Sequence, residues 1–184
     1  RPEGFASAAL KELIRRTPGL EPAMVDDVIF GCAMPEGEQG MNVARVISLA
    51  AGFPSEVPAM TVNRFCSSGS QTIALAADTV KAGSNNVVIA GGVESMSLVE
   101  MGGNKLIAFP DLVESNINAY MGMGVTAEVV ARRFGITREM QDEYAYHSHR
   151  KAAAAIAAGK FVDEIVPLDV RVRDNGQWRE LRFD

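Results

Sequence analysis

The first half of this chain alternates short apolar runs with stretches whose apolar residues recur at helical spacing, and few folds accept that alternation. Val25 to Ala33, with Val28, Ile29 and Phe30 in succession, reads as a buried strand after the acidic lead-in of Asp26 and Asp27. Val43, Val46, Ile47, Ala50 and Ala51 then follow a helical period, which Gly52 and Pro54 close. A second strand is expected at 59–63, after Pro58, and a second helix over Gln71 to Lys81, where Ile73, Ala74, Ala77 and Val80 share a face. Asn86 to Ala90 is the third strand. Strand, helix, strand, helix, strand is the pattern of a parallel sheet with crossover helices. An amphipathic helix carrying Phe5, Ala8, Ala9, Leu10, Leu13 and Ile14 precedes it and ends at Pro18-Gly19.

In such sheets ligands gather at the carboxyl ends of the strands. Two features fall there. One is Cys66, between the second strand and its helix; the other is the pair Gly91 and Gly92, read as a turn after the third strand, where glycine permits positive φ and a close backbone approach. The two are expected to converge on one rim, with Gly91 and Gly92 helping to shape a substrate pocket.

Cys66 stands near a helix start, where the first backbone N–H groups have no partner within the helix and the aligned peptide dipoles favour negative charge. Ser67, Ser68 and Gly69 around it are small enough to let a substrate approach. The alternative is a buried apolar filler, the commonest fate of a free cysteine. The position favours a nucleophile. Cys32, at the end of the first strand, is read instead as a small buried residue.

Composition narrows the partners. With 184 residues and 47% hydrophobic content the chain can bury a core, and its formal net charge of -5 argues against nucleic acid. No apolar run reaches membrane-spanning length, and Arg1-Pro2-Glu3-Gly4 is unlike a signal peptide. Two cysteines make no disulfide framework, so a reducing, cytoplasmic setting is expected. No spaced Cys, His and carboxylate cluster suggests a metal.

Asn63, two intervening residues, then Cys66, Ser67, Ser68 and Gly69, with Ile73 and Val80 beyond, resemble the acyl-enzyme signature of the thiolases. Gly91-Gly92-Val93-Glu94-Ser95-Met96-Ser97 is similar to that family's glycine-rich block. Two further blocks agree in order: Pro35 to Gly40 with Asn42, Ala44 and Arg45, and Tyr120-Met121-Gly122 with Thr126, Ala127 and Glu128. The resemblance covers nearly the whole chain but only about the first half of a typical thiolase, so both ends are read as truncations.

The resemblance implies a layered αβα thiolase-like fold, an α/β domain over 1–96 carrying Cys66, and an inserted helical loop domain over 97–184. It implies Cys66 as the nucleophile of thiolytic cleavage of 3-oxoacyl-CoA, its own backbone N–H being a candidate oxyanion donor, and acyl-CoA and CoA as partners in a homodimer or homotetramer. Coenzyme A would be a co-substrate, with no resident cofactor. Met121 resembles a residue lining the acyl pocket, with core filling as the alternative. The family's histidine base, second cysteine and water-fixing asparagine belong to C-terminal motifs outside this sequence. His147 and His149 lie on a polar helix and are read as solvated. Tyr120 stands where many biosynthetic thiolases have histidine, which favours the degradative type over an acetoacetyl-CoA thiolase. A 3-oxoacyl synthase and a non-catalytic half-thiolase acting as a binding module are the rival readings.

Within the second half, Glu100 to Tyr120 reads as a long irregular excursion, followed by helices over Thr126 to Phe134 and Thr137 to Ala158 separated by Gly135. Ile165 to Val172 is extended.

Overall fold

The computed structural model describes residues 1–184. Its first elements follow the expected order: α1 (Pro2–Arg16), β1 (Asp27–Gly31), α2 (Val43–Ala50), β2 (Ala59–Val62), α3 (Ser68–Lys81) and β3 (Val88–Gly92). All three strands are parallel, in the order β2-β1-β3.

Chain direction explains the layering. The path steps from β1 to β2 on one side and then back past β1 to β3, so right-handed crossovers put α2 and α3 on opposite faces. Val28 and Phe30 of β1 pack with Ala6, Leu10, Val43, Ala44 and Ile47 of α1 and α2 in the main core. Ile29, equally inaccessible, alternates to the α3 side. A central strand covered twice has no polar face, which is why its sequence is continuously apolar.

The carboxyl ends of the strands are in register: Gly31 pairs with Val62 on one side and with Gly92 on the other. Gly91 and Gly92 are therefore strand residues, and the expected turn at them is corrected. Neither has positive φ. Packing is tight at Gly91, where a Cβ would meet the Phe30 ring at 3.1 Å, whereas one on Gly92 would stand at ordinary contact distance, 3.8 Å from the Gly69 Cα.

By compactness the chain divides into Arg1–Leu106 with Val166–Asp184, and Ile107–Ile165. The expected division follows Met96, whereas the first compact unit runs on to Leu106 and takes in the hairpin at the end. Residues just beyond Met96 are tied back within that unit: Val99 is fully buried, and the Asn104 N–H donates to the Glu36 carboxylate at 2.8 Å.

The second unit is helical. The stretch read as irregular contains α4 (Pro110–Asn116), and α5 (Met123–Phe134) and α6 (Arg138–Ala157) follow. Gly135, at φ 65°, caps α5 in the left-handed conformation, and the Thr137 hydroxyl accepts the Met140 N–H at 3.3 Å to open α6. Residues 165–172, expected simply as extended, begin a hairpin of β4 (Leu168–Asp174) and β5 (Gln177–Phe183). Asn175 and Gly176 both take positive φ at its turn.

No helix is long and apolar enough to cross a membrane.

Candidate active site

Cys66 is exposed in a short 3-10 turn, Phe65–Ser67, between β2 and α3. Its surroundings are held by side chains that bond back to the main chain. Asn63 donates its amide to the Ala33 carbonyl at 3.0 Å and accepts the Phe65 N–H at 2.8 Å. Ser68, buried, accepts the Arg64 N–H at 2.9 Å and donates to the Phe65 carbonyl at 2.6 Å. Ser67 donates to the Arg64 carbonyl at 2.9 Å. These short polar side chains satisfy groups that a tight helix entry leaves orphaned.

Phe65 sits at a φ of 47°, unusual for a large residue. The turn therefore carries backbone strain next to the sulfur, held by the Asn63 and Ser68 bonds. The Phe65 N–H goes to Asn63 and the Ser67 N–H to the Arg64 carbonyl, whereas the Cys66 N–H between them takes no backbone acceptor. It is free to meet an incoming oxygen.

The start of α3 lies directly on the sheet. A Cβ on Gly31 would approach the Ser68 carbonyl carbon to 2.6 Å and the Gly69 nitrogen to 2.8 Å. Thr72, fully buried, places its hydroxyl 2.8 Å from the Gly69 carbonyl and 3.0 Å from the Gly91 carbonyl. The Cys66 helix and the Gly91-Gly92 strand end thus share one rim, as the parallel sheet predicts.

Beside this rim lies a polar knot that sequence reasoning missed. Gln39, fully buried, donates its amide to the Met34 carbonyl at 2.9 Å and to the Glu94 carboxylate, and accepts the Ser95 N–H at 2.9 Å. Glu94 also accepts the Ala33 N–H at 2.6 Å. Gln39 and Glu94 stand in the two motif blocks around the rim, but nothing in their spacing says that the blocks touch. The residues Asn42 and Arg45 likewise brace the approach to β2: Asn42 donates to the Ala59 carbonyl at 2.7 Å, and Arg45 to the Ser55 carbonyl at 2.8 Å.

Cys32 is the buried thiol expected. Burial, helped by the nearby Glu94 carboxylate, pushes it up to about 11, so it stays protonated near neutral pH. Met121 belongs to the second unit, half-buried just before α5. In the same unit the Tyr120 hydroxyl accepts the Phe109 N–H at 2.9 Å. His147 and His149 are exposed on α6, His147 lying 3.9 Å from Glu143 on the same helix. No group of three or more His, Cys, Asp or Glu side chains is placed to hold a metal ion.

Comparison with known proteins converges on one family. The family model described as "Thiolase, N-terminal domain" matches residues 1–180. A 3-ketoacyl-CoA thiolase of Bacillus subtilis (strain 168) is 49% identical over 177 residues, covering 96% of this chain and 45% of that protein. A beta-ketoadipyl-CoA thiolase of Acinetobacter baylyi is 42% identical over 189 residues, covering 94% of this chain and 47% of that protein. Among solved structures, the Bacillus anthracis acetyl-CoA acetyltransferase superposes with a TM-score of 0.80 at 38% identity, over 99% of this chain and 48% of that one. The chain spans about half the length of the relatives it matches.

Proposed function

This chain belongs to the thiolase family, through that family's N-terminal domain, and from that premise we propose that it supplies the nucleophile of an acyl-CoA acyltransferase cleaving 3-oxoacyl-CoA with free CoA. The observation that carries the reading is the exposed Cys66 in a braced turn at the carboxyl rim of a parallel sheet.

In this reaction the Cys66 sulfur attacks the 3-oxo carbon and the carbonyl electrons move onto oxygen, which the Cys66 N–H is free to receive. As the carbonyl re-forms, the bond between C2 and C3 breaks. The shortened acyl group stays on sulfur as a thioester, and the acetyl-CoA enolate leaves and takes a proton. The thiol of a second CoA then attacks that thioester and releases acyl-CoA and the Cys66 thiol. The acid and base for these proton transfers would come from the family's C-terminal motifs.

The degradative direction is supported by relatives named 3-ketoacyl-CoA thiolase and by Tyr120 in place of a histidine. Gly91 and Gly92, lacking side chains at the rim, would line the acyl site; Met121 keeps its acyl-pocket role on the family resemblance alone. The reading includes a cytoplasmic protein with CoA as co-substrate, assembled as a homodimer or homotetramer. Support for assembly comes from β2, which is an edge strand with one unpaired side.

The test is acyl transfer to the thiol. After incubation with acetyl-CoA and digestion, mass spectrometry should find an acetyl group on the Cys66 peptide, and free CoA should remove it. A folded protein that carries the C-terminal motifs and never labels at Cys66 overturns the reading.

A further inference from the structure

We propose that Glu94 and Asn63 are positioning residues for Cys66, acting on its turn from either side of Ala33. The inference rests on the reading of Cys66 as the acyl-accepting nucleophile. A continuous path of hydrogen bonds supports it. The Glu94 carboxylate, oriented by the buried Gln39 amide, accepts the Ala33 N–H at 2.6 Å. The carbonyl of the same residue accepts the Asn63 amide at 3.0 Å, and the Asn63 oxygen accepts the Phe65 N–H at 2.8 Å, one residue before Cys66. The same Gln39 amide nitrogen also donates to the Met34 carbonyl, and the Gln39 amide oxygen accepts the Ser95 N–H, both at 2.9 Å.

The path joins three chain segments that have no helix or strand of their own at this point. Ala33 lies beyond the end of β1, Glu94 beyond β3 and Asn63 beyond β2. Each of those strands stops within two residues, so side chains replace the lost ladder bonds. Phe65 gives the path its purpose: at a φ of 47° it needs an external hold, and Asn63 supplies one. A charged acceptor at the far end makes the Ala33 contact the stronger kind of hydrogen bond. Ala33 is thus clamped on both sides, and its clamp sets where Asn63 can stand. The expected consequence of cutting the path is a turn that relaxes and a sulfur that meets its carbonyl less often.

A double-mutant cycle in the full chain tests this. Glu94→Ala removes the acceptor for Ala33. Asn63→Asp keeps an acceptor for the Phe65 N–H but removes the donor to Ala33. Each should slow Cys66 acylation at saturating acetyl-CoA about tenfold, with KM held within about twofold, and the double variant should be no slower than the slower single one. Glu94→Gln, which keeps one oxygen for Ala33, should recover part of the rate; it also takes the place of Glu94→Ala if circular dichroism shows that variant unfolded. Additive losses of about a hundredfold in the double variant, or single variants that react like the parent, overturn the path. A parent that does not acylate at all overturns the reading of Cys66 as the acyl acceptor alone. The path is then read from iodoacetamide alkylation of Cys66 in the same proteins, where the same non-additive slowing is expected and unchanged or additive rates reject it.

Discussion

Gly31 and Ser68 are in contact through their backbones: a Cβ on Gly31 would come within 2.6 Å of the Ser68 carbonyl carbon, so the first turn of α3 rests on the end of β1 with no side chain between. This contact sets the height of Cys66 above the sheet, because the nucleophile's turn leads straight into Ser68.

Gly31→Ala should therefore lift the start of α3. The obstacle is backbone, which cannot swing aside as a long side chain can. A loss of about 1–3 kcal/mol is expected in urea or guanidinium unfolding, as for other overpacked sites. Acylation of Cys66 should fall more than stability alone explains. Unchanged melting and unchanged labelling would show that the helix start yields freely.

Ser68→Ala should cost stability by a different route. Its hydroxyl is buried and accepts the Arg64 N–H at 2.9 Å, so alanine leaves that donor without its partner. The expected destabilisation is about 1–3 kcal/mol. Ser68→Thr, which keeps the hydroxyl, should lose less. Equal effects from the two would show that volume, not the bond, matters at this position.

The two thiols should differ sharply in accessibility. Iodoacetamide at neutral pH should label Cys66 in the folded protein and reach Cys32 only after denaturation, because Cys32 is 1% exposed and pushed up to about 11. The pH dependence has a definite sign. The folded state holds the Cys32 proton more tightly than the unfolded chain, whose thiol titrates near 9.0, so the stability tied to it is complete below that value and lost as pH rises to about 11. Denaturant titrations across that window should show a downward slope that Cys32→Ala reduces. An identical slope in the variant would refute the linkage.

Asp26 should act at the acid end. Its carboxylate accepts the Val87 N–H at 3.0 Å and the Asn86 N–H at 2.6 Å, and these bonds hold it below its ordinary value of 3.8. A lowered carboxyl contributes stability above the unfolded value, and that contribution disappears as pH falls through the folded one. Asp26→Asn should therefore flatten the acid limb of the stability curve below about pH 4 while weakening the lead into β3 at neutral pH. An unchanged acid limb would mean the bonds form no more in the folded state than in the unfolded chain.

Residue pattern alone carried the element order from α1 to β3 and the type of that sheet. The apolar run of β1 reads as a buried strand and the helical periods of α2 and α3 as its crossovers, because periodicity is a local property written in neighbouring residues. The exposed Cys66 and the buried Cys32 were also legible, one from a turn of small residues and the other from a strand end. The Asn-Gly hairpin turn at 175–176 was legible too but went unread, since the polar strands around it carry little apolar signal.

Tertiary structure alone decided the rest. Gly91 and Gly92 looked like a turn, yet they lie in β3, where a Cβ on Gly91 would press on the Phe30 ring. The first compact unit runs past Met96 because Val99 is buried and the Glu36 carboxylate accepts the Asn104 N–H. Gln39 and Glu94 are 55 positions apart, and so are read as separate motif members until the fold brings them together as donor and acceptor. Periodicity reports which face of an element is apolar. Which buried polar groups will satisfy one another depends on the ends of three strands meeting in space, and no local pattern encodes that meeting.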